Sequence, residues 1–148
     1  MELTFRPYSH GSSDYQKALI LRYCILSLDK SIPDSALEFV YGPHTEEKEE
    51  FLLGAFDGSD LLGTLNLQKQ GDQLLLRQFA VHNKLQGTGI GRKLLEYAHE
   101  FARSQGYHRI ELHARMDVIG FYQKGGYILT EKRYDYPVIS LAQMYIDL

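Results

Sequence analysis

The stretch LLLRQFAVHNKLQGTGIGR, residues 74–92, indicates the fold of this chain most strongly. Its first part, Leu74–Val81, is an apolar run of strand length, and an amphipathic helix pattern begins at its end. Gly87, Gly89 and Gly91 remove side chains between the two and permit backbone angles that other residues avoid. The first N–H groups of a helix have no intrahelical partner, and the helix dipole adds positive charge there. The stretch therefore predicts a strand, a glycine-rich turn and a helix start that can bind phosphate.

Two familiar nucleotide-binding motifs do not fit this turn. A Walker loop needs Gly-x-x-x-x-Gly-Lys-Ser/Thr, a pattern that the sequence lacks. The Rossmann fingerprint Gly-x-Gly-x-x-Gly is also unmet, because Gly91 comes one residue too early. The turn moreover follows a predicted antiparallel meander, whereas a Rossmann turn opens a βαβ unit. Both nucleotide interpretations are therefore weak.

The hydrophobic pattern of the whole chain predicts an α+β fold in one domain, residues 1–148, built around a single mixed sheet. The predicted strands are Leu3–Arg6, which Pro7 ends, Phe51–Phe56, Leu61–Leu67, Leu74–Val81, Arg109–Ala114, Tyr127–Lys132 and Gln143–Leu148. The predicted helices are Tyr15–Leu28, with Asp14 as its cap, Ser35–Val40, Gly89–Gln105 and Val118–Lys124. Gly106 follows the long helix where a left-handed residue commonly ends one.

Composition narrows the classes of function. A net charge of −3 provides no basic face for nucleic acid. No apolar run approaches the ~20 residues of a membrane span, and the first residues lack the apolar segment of a signal peptide. The single cysteine, Cys24, excludes an intramolecular disulfide. We therefore expect a cytoplasmic protein that binds neither nucleic acid nor membrane.

Several polar residues are expected to have no special role. Cys24 falls on an apolar helical stripe and is expected in the core. The charge run Glu46–Glu50 is expected to be a solvated turn before a strand. His82 and His99 are expected on exposed positions. The six histidines are not spaced as ligands on one element, so no metal site is predicted.

Two motifs resemble one protein family. The pattern Gln86-x-x-Gly89-x-Gly91, after a strand that ends in Ala-Val, resembles the pyrophosphate-binding motif of the GCN5-related N-acetyltransferases (GNAT). The segment FYQKGGY, Phe121–Tyr127, resembles the family's Phe-Tyr-x-x-x-Gly-Phe segment. The resemblance covers about Leu61–Tyr127. It implies the GNAT fold, a mixed, mostly antiparallel sheet flanked by helices, in which two central strands splay apart.

The resemblance also implies how acetyl-CoA is bound. The backbone of Phe79, Ala80 and Val81 would hydrogen-bond the pantetheine arm. The pyrophosphate would be held at the helix start by Gln86, Gly87, Thr88, Gly89, Ile90, Gly91 and Arg92. Many family members carry Asn and Ala where this chain has Arg115 and Val118. Arg115 either replaces that Asn in contacting the cofactor or faces solvent.

The resemblance further implies catalytic candidates. Tyr122 occupies the position of the tyrosine that protonates the departing thiolate of coenzyme A. Glu111 and His113 share one face of the second splayed strand, which either supplies the general base or is only a solvated face of the strand. Backbone N–H groups on a splayed strand would stabilise the developing oxyanion.

The resulting expectation is an N-acetyltransferase that moves an acetyl group from acetyl-CoA to a primary amine by direct attack in a ternary complex. The alternative is a binding module that senses acyl-CoA without turnover. The acceptor, a small molecule or a protein amine, is left open, as is the oligomeric state, for which a homodimer is possible. Asp29–Asp34 and Tyr134–Ser140 are expected to shape the acceptor pocket, with Tyr134 and Tyr136 as candidate lining residues.

Overall fold

A computed structural model of the chain describes residues 2–27, 45–135 and 139–148. Within these ranges seven strands form one sheet: β1 (Leu3–Tyr8), β2 (Phe51–Asp57), β3 (Asp60–Gln70), β4 (Gln73–Val81), β5 (Arg109–Arg115), β6 (Ile128–Asp135) and β7 (Ser140–Asp147). Their spatial order is β1-β2-β3-β4-β5-β7-β6. Neighbouring strands run antiparallel except β4 and β5, which are parallel. The predicted mixed, mostly antiparallel sheet is confirmed.

The described helices are α1 (Ser13–Ser27), α2 (Ile90–Ser104) and α3 (Ile119–Lys124). Short 3-10 turns span Thr45–Glu49, Asn83–Leu85 and Met116–Val118. The helix predicted at Ser35–Val40 and the acceptor segment Asp29–Asp34 lie outside the described residues, and so do residues 136–138 of the second acceptor segment. In the part of the chain that is described, none of the helices has the length and apolar character needed to cross a membrane.

Strands β2, β3 and β4 form the predicted antiparallel meander. Their connections are two-residue turns, in which Gly58 and Gly71 come first and have φ angles of 58° and 63°. A glycine at the first of two turn residues suits a type II′ hairpin, whose twist matches that of the flanking strands. The aspartate and glycine residues between the strands therefore have the role that the sequence predicted.

Strand β1 continues beyond the point where Pro7 was expected to end it. Pro7 pairs with Leu53, and Tyr8 pairs with Leu52. The prediction was wrong because β1 is an edge strand, paired on one side by β2. A proline is tolerated on an edge, since its missing N–H group can face away from the partner strand.

Helix α2 covers one face of the sheet. Ile90, Leu94, Leu95, Ala98 and Ala102 are buried against apolar side chains of β2 to β5 and β7. Gly106 has a φ angle of 86°, and the N–H of Tyr107 donates to the carbonyl of Ala102 at 3.0 Å. Together with the 3.0 Å bond from the N–H of Gly106 to the Arg103 carbonyl, this bond forms the Schellman motif, so the predicted left-handed end of this helix is confirmed.

Helix α1 covers the opposite face, but its buried stripe differs from the predicted one. The stripe includes Tyr15, Ala18 and Arg22, whereas Cys24 is exposed. The expectation of a core cysteine was wrong because Arg22, whose burial apolar periodicity cannot detect, lies on the inner face with Ala18 and Leu21. Ser12, not Asp14, receives the N–H of Tyr15 at the helix start, at 3.2 Å.

Arg22 belongs to a buried polar network between α1 and the sheet. Its guanidinium lies 2.9 Å from Glu47 and donates to Asn66 at 2.9 Å. The amide nitrogen of Asn66 donates to both Glu47 and Glu50, at 3.0 and 3.3 Å. Arg77 on β4 completes the network with a 3.2 Å bond to Glu50. Burial is the main cause that raises the pKa of Glu50 above its ordinary value.

The expectation of a solvated turn at Glu46–Glu50 was therefore wrong for two of its members. Glu47 and Glu50 are buried, while Glu46, Lys48 and Glu49 are exposed. The reason is the 3-10 turn Thr45–Glu49, which a 3.2 Å bond from the N–H of Glu50 to the Glu47 carbonyl extends, so that residues three apart lie on one side. Glu47 and Glu50 thus face the sheet together, where Arg22 and Arg77 compensate their charges.

His99 also departs from its predicted exposure. It lies on the inner side of α2 with 7% of its surface exposed, and its Nε2 atom is 2.9 Å from the Tyr127 hydroxyl. Burial, helped by the positive charges of Arg103 and Arg92, lowers the pKa of His99 to about 4. His82 is half-buried, and its Nδ1 atom accepts the N–H of Lys84 at 3.2 Å.

Candidate active site

The central feature of the sheet is an opening between β4 and β5. Three residue pairs join the two strands, and the last of these is Leu76 with Leu112. Both strands continue, to Val81 and to Arg115, with no further pair between them in the described residues. The structure thus contains the two splayed central strands that the sequence predicted.

A bulge in β4 lies at the apex of this opening. Its pairing with β3 shifts between Thr64 and Asn66, so that Gln78 and Phe79 face Leu65 alone. Gln78 has a φ angle of 55°, which is uncommon for a residue with a side chain. A bulge bends its strand and increases the local twist. It explains why β4 turns away from β5 directly after Leu76.

The glycine-rich loop lies at the end of β4. Gly87 and Gly89 have φ angles of 85° and 91°, and Gly89 is the residue before the first turn of α2. The side chain of Gln86 donates to the Val81 carbonyl at 3.1 Å and ties the loop to the strand. The Thr88 hydroxyl donates to the Leu85 carbonyl. The sequence predicted this arrangement of strand, turn and helix.

The loop leaves room for a ligand at the helix start. A Cβ atom added to Gly87 or Gly89 would meet no protein atom within 4 Å, so each glycine borders open space. The first turn of α2 contains no acidic residue that would compete for its N–H groups. Gly91 instead packs against β4, since a Cβ there would lie 3.5 Å from Val81. Open space at the start of a helix is suited to an anionic group such as phosphate.

The candidate acid Tyr122 lies on α3, beside the opening. Its ring packs edge-on against Phe79 of β4, with ring centroids 6.4 Å apart, and against Tyr127 at 5.6 Å. Phe121 contacts the same phenylalanine at 6.1 Å and is half-buried as well. The FYQKGGY segment thus brings aromatic side chains to the part of β4 that no longer pairs with β5.

The two candidate bases lie together on β5. The Nε2 atom of His113 is 3.0 Å from a carboxylate oxygen of Glu111, and both side chains are partly exposed, at 24% and 18%. The His113 ring stacks on Tyr134 with centroids 4.1 Å apart. Tyr134, one of the candidate lining residues of the acceptor pocket, belongs to β6. His113 is the first residue of β5 beyond the last pair with β4.

The two arginines predicted at the cofactor have other contacts. Arg115 donates to Asp117 at 3.1 Å, and 41% of its side chain is exposed. Arg92 donates to the main-chain carbonyl of Phe121 at 2.6 Å and is half-buried. The side chain of Arg92 therefore points toward α3, while its N–H group remains in the first turn of α2.

A groove of about 360 Å³ lies elsewhere, beside the outer face of α1. Its lining includes Ile20, Cys24 and Leu61, together with His82 and Asn83 from the end of β4. Residues of the splayed opening do not line it. Over the described ranges, no three His, Cys, Asp or Glu side chains come close enough to hold a metal ion.

Comparisons with known proteins agree with this geometry. The sequence model of the "Acetyltransferase (GNAT) family" matches residues 17–127. A curated protein of Prochlorococcus marinus, named an uncharacterized N-acetyltransferase, ycf52-like, is 34% identical over 65 residues. That match covers 42% of this chain and only 36% of the relative's length.

Solved structures resemble the whole chain. The PaiA N-acetyltransferase of Thermoplasma acidophilum, solved in complex with coenzyme A, has a TM-score of 0.80 at 17% identity and covers 100% of both chains. An acyl-CoA N-acyltransferase from Pseudomonas aeruginosa has a TM-score of 0.76 at 18% identity, covering 98% of this chain and 99% of its own. At such identities the likeness concerns the fold, and the GNAT-like fold is confirmed.

Proposed function

Because the chain belongs to the GNAT family of acetyltransferases, we propose that it transfers an acetyl group from acetyl-CoA to a primary amine. The amine, of a small molecule or a protein, attacks directly in a ternary complex. The observation that carries this proposal is the opening between β4 and β5, which has a glycine-lined helix start at its end and Tyr122 and His113 beside it. Positioning of two bound reactants in one opening supplies much of the rate of such a reaction.

The cofactor site consists mainly of backbone. The N–H groups from Gly87 to Arg92 hold the pyrophosphate, because they stand at the positive end of α2 and border open space. The main chain of Phe79–Val81 binds the pantetheine arm along the edge of β4 that β5 leaves. When bound there, acetyl-CoA supplies an activated acyl group, the thioester carbonyl.

His113 is the general base in this proposal. Its Nε2–H group donates to Glu111, which leaves Nδ1 as the proton acceptor for the attacking amine. The stacked ring of Tyr134 and the carboxylate of Glu111 fix the orientation of the imidazole. Its position directly beyond the last β4–β5 pair supports this role, because it places His113 at the start of the opening.

Tyr122 is the general acid. Its phenol transfers a proton to the sulfur that leaves, so that the products are the acetylated amine and the thiol of coenzyme A. The edge of β4 beyond Leu76 supplies N–H groups that can stabilise the oxyanion of the intermediate. Proton removal and proton delivery are thus assigned to different elements, β5 and α3, on two sides of one opening.

An acceptor panel tests the function. The protein is incubated with acetyl-CoA and a diverse set of primary amines, and both free thiol and acetylated product are measured. We expect thiol release that requires an amine and equals the product in amount. Binding of coenzyme A with no amine-dependent release on any acceptor would contradict the transferase and favour the acyl-CoA sensor.

Two substitutions on β5 test the base. His113→Ala is expected to lower turnover by roughly 10²–10⁴-fold at neutral pH, as the loss of a general base does. Glu111→Gln keeps the imidazole and is expected to lower it less. His108→Ala, an exposed histidine just before β5, is the control. Full activity of His113→Ala would place the base elsewhere.

A further inference from the structure

Arg92 occupies an unusual position in the molecule. It is the third residue of α2, next to the loop that would bind the pyrophosphate, yet its guanidinium is directed at α3. One nitrogen, Nη2, donates to the Phe121 carbonyl at 2.6 Å. The guanidinium carbon also lies 4.3 Å from the centroid of the Phe121 ring, a cation–π distance. The side chain thus contacts the residue directly before Tyr122 twice.

The Phe121 carbonyl needs such a partner. In a longer helix it would accept the N–H of Gly125, but that group donates to the Tyr122 carbonyl at 2.9 Å. The N–H of Tyr127 donates to Tyr122 as well, at 3.0 Å. The last carbonyls of a helix are stabilised by a cation, which also interacts favourably with the negative end of its dipole. Arg92 therefore caps the C-terminal end of α3.

Two unfavourable interactions oppose this contact. A cation in the first turn of α2 is disfavoured by the dipole of that helix, whose first turn has no acidic residue. The second nitrogen, Nη1, is buried with no hydrogen-bond partner in the described residues. It lies beneath Gly125, where an added Cβ atom would overlap with it. A glycine at position 125 therefore leaves the space that this nitrogen of Arg92 occupies.

We infer that Arg92 is a positioning residue, which fixes the helix that carries Tyr122 to the helix that would hold the pyrophosphate. This role rests on the proposed transfer reaction. Tyr122 packs on Phe121 with ring centroids 5.3 Å apart, so a shift of α3 moves the phenol. A misplacement of about 1 Å can lower a rate by roughly 10²-fold.

The first test compares two neighbouring cations. Arg92→Met removes the cap, while Lys93→Met removes the same charge from the next residue, which is exposed. We expect Arg92→Met to lower kcat by roughly 10- to 100-fold with little change in the KM for acetyl-CoA. Lys93→Met should keep kcat. A large rise in KM with unchanged kcat in Arg92→Met would show a phosphate ligand and overturn the inference.

The second test disturbs the same contact from the other side. Gly125→Ala keeps every charge but displaces the guanidinium, and it should reproduce the kcat defect of Arg92→Met. Because both changes break one contact, the double variant should be no slower than the slower single variant. Independent losses that multiply in the double variant would contradict a shared contact.

A third readout does not depend on turnover. In a protein isotopically labelled at the tyrosine ring carbon Cζ, the NMR resonance of Tyr122 reports the environment of the Tyr122 ring and its titration with pH. The resonance is assigned by its absence in Tyr122→Phe. We expect this resonance to move in Arg92→Met and Gly125→Ala but not in Lys93→Met. If the resonance moves in both variants but the protein acetylates no amine, the transferase function is rejected and the positioning contact of Arg92 is supported. An unmoved resonance in both variants would reject the positioning contact.

Discussion

The hydroxyl of Tyr122 is one oxygen atom on which the proposed chemistry depends. Tyr122→Phe keeps the ring contacts with Phe79, Phe121 and Tyr127 and removes only the proton donor. We expect turnover to fall by roughly 10- to 1000-fold, because the thiolate then leaves without an acid. The KM for acetyl-CoA should barely change. Steady-state kinetics on an acceptor from the amine panel measure both quantities.

The control for this variant is Tyr23→Phe, which removes a hydroxyl from an exposed tyrosine on α1. It should match the wild-type protein in turnover and KM. Full turnover in Tyr122→Phe would exclude the phenol from the mechanism. A large change in KM would instead indicate that the hydroxyl contributes to cofactor binding.

His99 gives the protein a pH-dependent stability. Its pKa is about 4 in the folded protein and about 6.5 when unfolded, so the unfolded chain binds the extra proton between these values. The free energy of unfolding should therefore fall as the pH drops below about 6.5. We expect a loss of roughly 1–2 kcal/mol between pH 7 and pH 5. Urea titrations at the two pH values measure this loss.

The matched variant is His99→Gln, which can keep a hydrogen bond to the Tyr127 hydroxyl and cannot titrate. Between pH 7 and pH 5, the free energy of unfolding of this variant should fall by roughly 1–2 kcal/mol less than that of the wild type. An identical pH dependence in the two proteins would show that His99 does not control it.

Individual residues differ in how well the sequence alone predicts them. The shared face of Glu111 and His113 follows from the two-residue period of a strand, and the structure brings both side chains within 3.0 Å. The burial of Arg22 and Glu47 could not be read from hydropathy, because each is buried only through a partner that is distant in sequence. The 3-10 spacing of Glu47 and Glu50 was the signal that could have indicated a shared face.

The start of α2 is the element on which cofactor binding depends. Gly89→Glu places bulk and negative charge where the pyrophosphate is proposed, and a residue with a side chain also strains a φ angle of 91°. We expect this variant to lose measurable binding of coenzyme A in a calorimetric titration. The physical reason is repulsion between the carboxylate and a dianion at close range in the same cradle.

The chain offers a control with the same strain. Gly106→Glu introduces the same side chain at a φ angle of 86°, with similarly open space, but at the opposite end of the same helix. It should bind coenzyme A as the wild type does. Unchanged affinity in a folded Gly89→Glu protein would refute the assignment of the loop.

The 3-10 turn before β2 is expected to support the fold through one carboxylate. Glu47→Gln leaves Arg22 fully buried without its counterion, and removal of one partner of a buried pair costs roughly 3–5 kcal/mol. Chemical denaturation measures this loss. Glu49→Gln, an exposed member of the same turn, should change stability by less than about 0.5 kcal/mol. Equal stability of the two variants would show that the network contributes little.

Elements were predicted well where local chemistry determines them. The turns at Gly58 and Gly71 and the end of α2 at Gly106 each depend on a glycine with positive φ, which the sequence displays directly. The extension of β1 through Pro7 depends on its position at the sheet edge, a property of the whole fold. Local patterns cannot contain that information.

At the scale of the whole molecule, the site results from the way two distant strands part. The parallel pairing of β4 and β5 ends at Leu76 and Leu112, and the bulge at Gln78 directs β4 away. The family motifs predicted such an opening, but neither periodicity nor spacing gives its apex or the contacts across it. The contact between Arg92 and Phe121 joins residues 29 positions apart and was likewise beyond sequence patterns.

The central claim is that this opening binds acetyl-CoA with its pyrophosphate on the helix start and its acyl group between the strands. A crystal structure of the complex with coenzyme A tests it most directly. We predict that the pyrophosphate oxygens lie about 3 Å from main-chain nitrogens between Gly87 and Arg92. The pantetheine arm should follow Phe79–Val81, with the sulfur near Tyr122. Coenzyme A bound away from this loop, with the opening between β4 and β5 empty, would contradict the account.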